Sequence, residues 1–294
     1  MPFSHILLTL LVVLVWGINF LFVKIGLQEI PPLFLCTLRF TLSSIPAIFF
    51  IKPPEAPFKI VVYYGLVMFA MQFGLVFTGM QVGMTAGMAS LIMQVQVFFS
   101  MFMAMYFLGE KVTISQMIGA LIGFMGIGVV ALHFDNNVSF LGFILILGAA
   151  TTWGVGNLIT KQVKSANLIS LIVWGTFVAI FPVFILSLLL EGPTQILDTY
   201  HHITWRGVGA LMYIVYASTW VGYGVWNWLL ERYPVSMVVP FTLLIPVVGL
   251  VSSVLFMGEP FQSWKLVAGL LIISGLCINL ISSRIFAIKT QEAI

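Results

Sequence analysis

Residues 4–26 read SHILLTLLVVLVWGINFLFVKIG, an apolar run with few polar side chains. A helix needs about 20 such residues to cross the hydrocarbon core of a bilayer, so this run is long enough to span one. Nine similar runs follow, at residues 31–51, 57–80, 84–107, 113–133, 138–163, 167–191, 204–230, 234–257 and 261–284. They are too long for barrel strands and lack two-residue alternation. We therefore predict an all-α integral membrane protein with ten transmembrane helices.

The composition of the 294-residue chain excludes most soluble classes of protein. It is 61% apolar and only 7% charged, whereas a soluble domain carries roughly 25% charged residues. A soluble enzyme, a nucleic-acid binder, a disordered chain and a disulfide scaffold are all excluded or strongly disfavoured. The expected partners are membrane lipid and a small-molecule substrate, with no nucleic acid; the oligomeric state stays open.

The sequence also repeats itself. Residues 16–24, WGINFLFVK, resemble residues 153–161, WGVGNLITK, since both begin with Trp-Gly and end with Lys. Pro46 in the second run is matched by Pro182 in the seventh, and both the fourth and the ninth runs close with Gly-Glu. The matches occur in the same order, which indicates two related units of five helices.

Five is an odd number, so the second unit must enter the membrane from the opposite side. We therefore predict two inverted five-helix repeats, residues 1–135 and 136–294, with a hydrophilic loop inserted around residues 198–202. Inverted repeats of this kind are typical of secondary transporters, whose substrate site lies near the middle of the membrane between the halves.

Lysine and arginine residues give the orientation. With the N-terminus in the cytoplasm, the cytoplasmic side carries Lys52, Lys59, Lys111, Lys161, Lys164, Arg232, Arg284 and Lys289, and the opposite side carries Lys24, Arg206 and Lys265. Short loops follow the positive-inside rule. We therefore predict that both termini are cytoplasmic.

Arg39 is the most costly polar residue within the predicted spans. It lies eight residues into the second run, roughly 12 Å from its end at 1.5 Å per residue. A charge at such a depth costs on the order of 3 kcal/mol, so its side chain should face the protein interior or water. It is either an anchor for a substrate carboxylate or a structural donor to backbone carbonyls at a helix break.

Tryptophan and amide side chains form further candidate binding faces in the first and sixth runs. Trp16 and Trp153 begin the repeated stretches, and Asn19 and Asn157 follow them on the same or a neighbouring helix stripe. An aromatic ring beside an amide suits a small amphipathic solute. The alternative is hydrogen bonding between helices.

Two more sets of polar residues lie in the middle runs. Gln72 is in the third run and Gln94 is in the fourth; Gln96 lies about 200° from Gln94 on a helix, so only one of the latter two can face a cavity. The eighth run carries Trp220, Tyr223 and Asn227 at i, i+3 and i+7 on one face. This face lines a binding site or forms an interfacial aromatic belt.

Other residues suggest hinges and caps. Pro240 and Pro246 interrupt the ninth run, where they either permit hinge motion or only kink the helix. Glu110 and Glu259 lie between one run and the next. We expect each carboxylate to cap the backbone amides of the helix that follows it.

No enzyme motif is present. The sequence contains no HExxH, GxSxG or P-loop, and both aspartates lie between the apolar runs. We therefore predict no catalytic residue, no metal ligand and no cofactor. Because no acidic residue lies in the middle of a span, the sequence offers no obvious proton carrier.

An ordered set of short motifs resembles the EamA-type branch of the drug/metabolite transporter superfamily. The motifs are VWGINF at 15–20, LRF at 38–40, GMASLIMQVQVFF at 87–99, GYGVW at 222–226, LIPVVGL at 244–250 and the two closing Gly-Glu pairs. Within this branch the chain is most similar to exporters of O-acetylserine and cysteine. The resemblance implies ten helices in two inverted units, location in the bacterial inner membrane and outward transport of small amino-acid metabolites.

The leading hypothesis is an alternating-access exporter of small amino-acid metabolites similar to cysteine or O-acetylserine. Its predicted substrate-binding residues are Trp16, Asn19, Arg39, Gln72, Gln94, Trp153, Asn157, Trp220, Tyr223 and Asn227. The alternative is the same machinery with another cargo, such as aromatic amino acids, purines or drugs. A membrane-embedded enzyme or receptor is the third and weakest hypothesis.

Overall fold

The computed structural model describes residues 1–134, 138–162, 168–233 and 235–292, which are helical apart from loops and one isolated bridge between Met84 and Val138. The apolar helices of this part of the chain are α1 Phe3–Gly26, α2 Pro32–Ile48, α3 Phe58–Gln81, α4 Ala86–Leu108, α5 Ile114–Ala131, α6 Phe140–Gln162, α7 Leu168–Leu190, α8 Trp205–Arg232, α9 Val239–Met257 and α10 Ser263–Glu292. Among them, nine are long and apolar enough to cross a membrane, and α2 is shorter. The all-helical architecture expected from the sequence is confirmed for the described residues, with nine helices that could cross a membrane by length and composition.

Some helix bounds differ from the expected spans, and so does the structure of the inserted segment. Helix α2 ends at Ile48, and α10 continues past residue 284 to Glu292. The inserted segment is a short helix, Gly192–His202, rather than a loop. Pro193 lies in its first turn, where the missing N–H of proline costs no hydrogen bond.

Four of the long helices contain segments that are not α-helical. Gly65–Met71 in α3 and Tyr213–Gly222 in α8 are π-helical, and Met93–Val95 in α4 and Val239–Leu244 at the start of α9 are 3₁₀-helical. The break expected at Pro240 thus takes the form of a 3₁₀ segment. Both kinds of irregularity change the direction in which the following side chains point, and π segments often occur at functional sites.

Small residues bring α5 and α10 into close contact. A Cβ atom built on Gly119 would lie 2.7 Å from the carbonyl oxygen of Gly275, and one on Gly126 would lie 2.9 Å from that of Ala268. These backbones are therefore too close for larger side chains, which is typical of helix packing in membranes.

At one end of the bundle, three carboxylates cap the N-termini of helices. Glu29 accepts hydrogen bonds from the Thr204 backbone N–H (2.8 Å) and hydroxyl (2.7 Å), Glu191 accepts from the N–H groups of Leu33 (2.6 Å) and Phe34 (3.0 Å), and Glu259 accepts from the Ala86 N–H (3.0 Å). For Glu259 the predicted partner was wrong. Its carboxylate caps α4 instead of the helix that follows Glu259 in the chain. We call this end, where α2, α4 and α8 begin, the capped end.

Candidate functional site

A cavity of about 70 Å³ lies between α2, α7 and α8. Its walls are formed by Ser43 of α2, by Ile169, Ile172, Val173 and Thr176 of α7, and by Thr219, Trp220, Tyr223, Gly224 and Asn227 of α8. These positions lie in the first third of α7 and the second half of α8. The cavity therefore extends from the middle of the bundle away from the capped end. Its volume corresponds to about two water molecules, so a larger solute requires the helices to separate.

The π segment of α8 positions the polar side of the cavity. The Thr219 hydroxyl donates to the carbonyl of Ile214, five residues earlier, at 3.0 Å. The α-helical spacing resumes at Tyr223, so Tyr223 and Asn227 face the cavity one turn apart. The structure thus brings Trp220, Tyr223 and Asn227 together on one wall, as their spacing predicted. Their binding role stays a prediction.

Arg39 lies directly behind this wall and is only 4% exposed. Its Nη2 donates to the hydroxyl of Thr219 at 3.3 Å, and its guanidinium carbon lies 4.0 Å from the centre of the Phe73 ring. The other terminal nitrogen, Nη1, is buried and has no hydrogen-bond partner among the described residues. The observed hydrogen bond thus goes to a side chain of another helix, whereas a purely structural arginine was expected to bind backbone carbonyls.

Trp16 connects α1 to the wall formed by α8. Its indole N–H donates to the Ser218 carbonyl at 3.0 Å, and its ring centre lies 5.3 Å from those of Tyr223 and Trp226. A methyl group at Gly222 would overlap the indole nitrogen of Trp16. Trp16 therefore supports Tyr223 from behind rather than lining the cavity itself.

The other predicted site residues do not line this cavity. Asn157 donates to the Ser100 hydroxyl at 2.9 Å, which is the interhelical bond considered as its alternative role. Trp153 packs against the hydrophobic core. Gln94 is 7% exposed and lies in the 3₁₀ turn of α4. The side-chain oxygens of Asn19 and Gln72 are buried and have no described partner.

Sequence reasoning missed several lining residues. Ser43 lies four residues after Arg39, on the same face of α2, so helical spacing could have identified it. Thr219 could not be identified in this way, because its direction depends on the π segment. The apolar wall formed by α7 carries no polar residue that would have distinguished it from a lipid-facing surface, except Thr176.

Comparison with known proteins identifies the family of this chain. The model of the EamA-like transporter family matches the chain twice, over residues 3–132 and 140–281. The chain belongs to the EamA-like transporter family. As an EamA protein it is a multi-pass membrane transporter, and neither the family nor its relatives indicate a catalytic activity.

Among curated relatives, a "Probable amino-acid metabolite efflux pump" of Escherichia coli K12 is 38% identical over 293 residues, covering 98% of this chain and 96% of that protein. A protein of the same name from Salmonella typhimurium is 38% identical and covers 95% of both chains. A "Probable terminal-alkyne amino-acid exporter" of Streptantibioticus cattleyicolor is 28% identical over 66% of this EamA chain and 64% of that protein.

A solved crystal structure shares the fold. It is 17% identical to this EamA chain, has a TM-score of 0.64, and matches 96% of this chain and 98% of its own. At this identity the likeness concerns the arrangement of helices alone. Together, the family and the named relatives support a role in the export of amino-acid metabolites.

Proposed function

We propose that this EamA protein is a secondary exporter of small amino-acid metabolites, with cargo similar to cysteine or O-acetylserine, in the bacterial inner membrane. Substrate enters the cavity between α2, α7 and α8 from the cytoplasm. It leaves on the other side when two inverted halves, residues 1–135 and 136–294, rock against each other. Both termini lie in the cytoplasm.

The buried, incompletely paired Arg39 is the observation that carries this proposal. A guanidinium group with an unpartnered nitrogen, held 3.3 Å from the hydroxyl of the wall residue Thr219, offers a charged donor to a carboxylate. Arginine binds carboxylates through two parallel hydrogen bonds. Separation of α2 and α8 would expose this nitrogen to a substrate held against Tyr223 and Asn227.

Paired irregularities support the two-halves mechanism. The π segments occur in the third helix of each proposed half and the 3₁₀ segments occur in the fourth. Gly109 and Gly258, which end α4 and α9, have φ values of 66° and 64°. The family model also matches each half separately. Such correspondence is expected of repeats that exchange conformations.

The side on which the cavity lies supports the proposed direction of transport. The cavity extends toward the end where α7 begins and α8 ends, and the distribution of Lys and Arg assigns this end to the cytoplasm. An exporter must load its substrate from that side. The position of the cavity therefore supports loading of the substrate from the cytoplasm.

Efflux measurements test the proposal. Cells that express the protein should release cysteine and O-acetylserine faster than cells with an empty vector, and Asn227→Leu should reduce this release because it removes a polar group from the cavity wall. Leu255→Ala, at an exposed position of α9, is the matched control and should export normally. Equal efflux with and without the protein would exclude these substrates.

The apolar side of the cavity supports a second class of cargo, namely aromatic amino acids, purines or drugs. Ile169, Ile172 and Val173 face Trp220 across the cavity, which favours a solute with an apolar or aromatic part. A competition panel of aromatic amino acids, purines and drugs against labelled cysteine on reconstituted protein separates the two. Displacement by the aromatic compounds alone would favour the second class.

A further inference from the structure

The charges around the cavity are all of one sign. The nine acidic residues of the chain are Glu29, Glu55, Glu110, Asp135, Glu191, Asp198, Glu231, Glu259 and Glu292. Asp135 lies outside the described residues, and each of the others lies near the end of a long helix or in a segment between two long helices. Arg39, in contrast, is buried in the middle of α2. In the part of the chain that the structure describes, the membrane interior next to the cavity therefore contains a cation and no carboxylate.

The groups that line the cavity do not supply the missing negative charge. Its polar residues are the hydroxyl-bearing Ser43, Thr176, Thr219 and Tyr223 and the amide Asn227, all of them neutral. Glu231 is the nearest acid along α8, one turn beyond Asn227. Its side chain is 70% exposed and lies 3.7 Å from Arg232.

Two hydrogen-bond donors at this site have no acceptor. They are Nη1 of Arg39 and Nδ2 of Asn227, both buried and without a described partner. A buried donor that is left unpaired is unfavourable, because it has lost its hydrogen bonds to water without gaining others. The site therefore has buried donors without partners, and it offers an ammonium group, which only donates, neutral hydroxyl and amide oxygens but no counter-charge.

When a free amino acid is bound, the site keeps a net positive charge. Its carboxylate neutralises Arg39, but its ammonium group then lies in the site without a counter-charge, which makes its binding weaker than that of an anion of similar size. When an organic monoanion is bound, the net charge of the site is zero. An amino acid acylated on its nitrogen has this charge, and its acyl carbonyl adds an acceptor that can bind the amide of Asn227.

We infer that the cavity selects amino-acid metabolites with a net negative charge, such as N-acylated amino acids, over zwitterionic amino acids. The inference rests on the proposed export function and specifies its substrate class. Arg39 holds the carboxylate, Asn227 donates to the acyl carbonyl, and the apolar wall of α7 contacts the remainder.

A pair of isomers provides the test. N-Acetylserine and O-acetylserine contain the same atoms, but the first is a monoanion and the second is a zwitterion. Purified protein in lipid nanodiscs is titrated with each isomer in mildly acidic buffer, where the acetyl group of O-acetylserine stays on oxygen. We expect the Kd for N-acetylserine to be at least about ten-fold lower, which corresponds to about 1.4 kcal/mol.

Two variants test whether this preference depends on the net charge of the site. Arg39→Gln removes the cation and should abolish the preference between the isomers. Asn227→Asp introduces a carboxylate of the same shape and should shift the preference toward O-acetylserine. Because the second variant changes the selectivity without removing Arg39, it keeps the test decisive even if Arg39→Gln does not fold.

The binding results distinguish a failure of the charge selection from a failure of the proposed export function. Equal or tighter binding of O-acetylserine by the wild-type protein overturns the charge selection and leaves the proposed export function intact. An unchanged preference in Asn227→Asp also overturns it. If neither isomer binds and cysteine does not bind either, the proposed function fails together with the inference.

Discussion

Arg39 is held by interactions that lysine and methionine can reproduce only in part. The guanidinium stacks on Phe73 and donates to Thr219 through a planar, forked group. Lysine keeps the charge but lacks the fork, and methionine keeps the apolar stem but lacks the charge. The two substitutions therefore separate substrate binding from folding.

We expect Arg39→Lys to weaken carboxylate binding about ten-fold or more while the folded yield in detergent stays near that of the wild type. Arg39→Met should abolish binding and raise the melting temperature, because it removes an unpaired buried charge. Binding assays and thermal unfolding in detergent measure both effects. Loss of yield and binding together in Arg39→Lys would favour the structural role of Arg39 instead.

Gly222 allows Trp16 to approach α8. A side chain at this position overlaps the indole nitrogen, so Gly222→Ala should break the hydrogen bond from Trp16 to Ser218 and displace Tyr223. We expect a loss of about 1–3 kcal/mol from overpacking, seen as a lower melting temperature and reduced transport. Gly209→Ala, at a site in α8 with open space around it, should melt at or slightly above the wild-type temperature.

At the scale of the helices, Glu191 stabilises the start of α2. It accepts from two backbone N–H groups and from the Ser187 hydroxyl at 2.6 Å. We expect Glu191→Ala to cost about 1–2 kcal/mol, since it leaves the first amides of α2 unpaired. Thermal unfolding measures this loss. Glu55→Ala, at an exposed position after α2, is the matched control, and a similar loss there would contradict the capping role.

Glu29 makes the cap of α8 sensitive to pH. The hydrogen bond from the Thr204 hydroxyl, with that from its N–H, lowers the pKa of Glu29 below its usual value of 4.5. A lowered pKa in the folded state gives stability that is present above pH 4.5 and is lost as the pH falls through the lowered value. The melting temperature of Glu29→Gln should therefore lie below that of the wild type at pH 7. The difference should shrink at acidic pH, whereas a constant difference would contradict this origin.

For the molecule as a whole, local patterns predicted the helices and one wall of the cavity. The i, i+3, i+7 spacing located Trp220, Tyr223 and Asn227 because α-helical geometry holds from Tyr223 onward. Thr219 was missed because it lies in a π segment, and the partner of Glu259 was missed because it belongs to the other half of the chain. Contacts between distant segments depend on how helices pack, which spacing along one helix does not encode.

The three caps share a property that concerns the whole molecule. Glu29 reaches from residues 1–135 to Thr204, whereas Glu191 and Glu259 reach from residues 136–294 back to α2 and α4. Every cap thus joins one proposed half to the other at the same end. Hydrogen bonds to charged groups contribute about 1.5–3 kcal/mol each, so opening at the capped end requires a substantial free energy. The caps therefore favour the conformation that is closed there.

Replacing all three carboxylates with glutamine should shift the population toward opening at the capped end. Spin labels at Gln28 and His202, exposed positions in the first and second halves that border the same surface depression, report on this movement once Cys36 and Cys277 are replaced by alanine. We expect a longer distance to appear in the triple variant, because neutral amides hold the helix termini less strongly than carboxylates do. Glu55→Gln should leave the distance distribution unchanged. If the triple variant retains the wild-type distribution, the caps do not hold this end closed, and the barrier to opening resides in the packing of α1 against α8 and of α2 against α7.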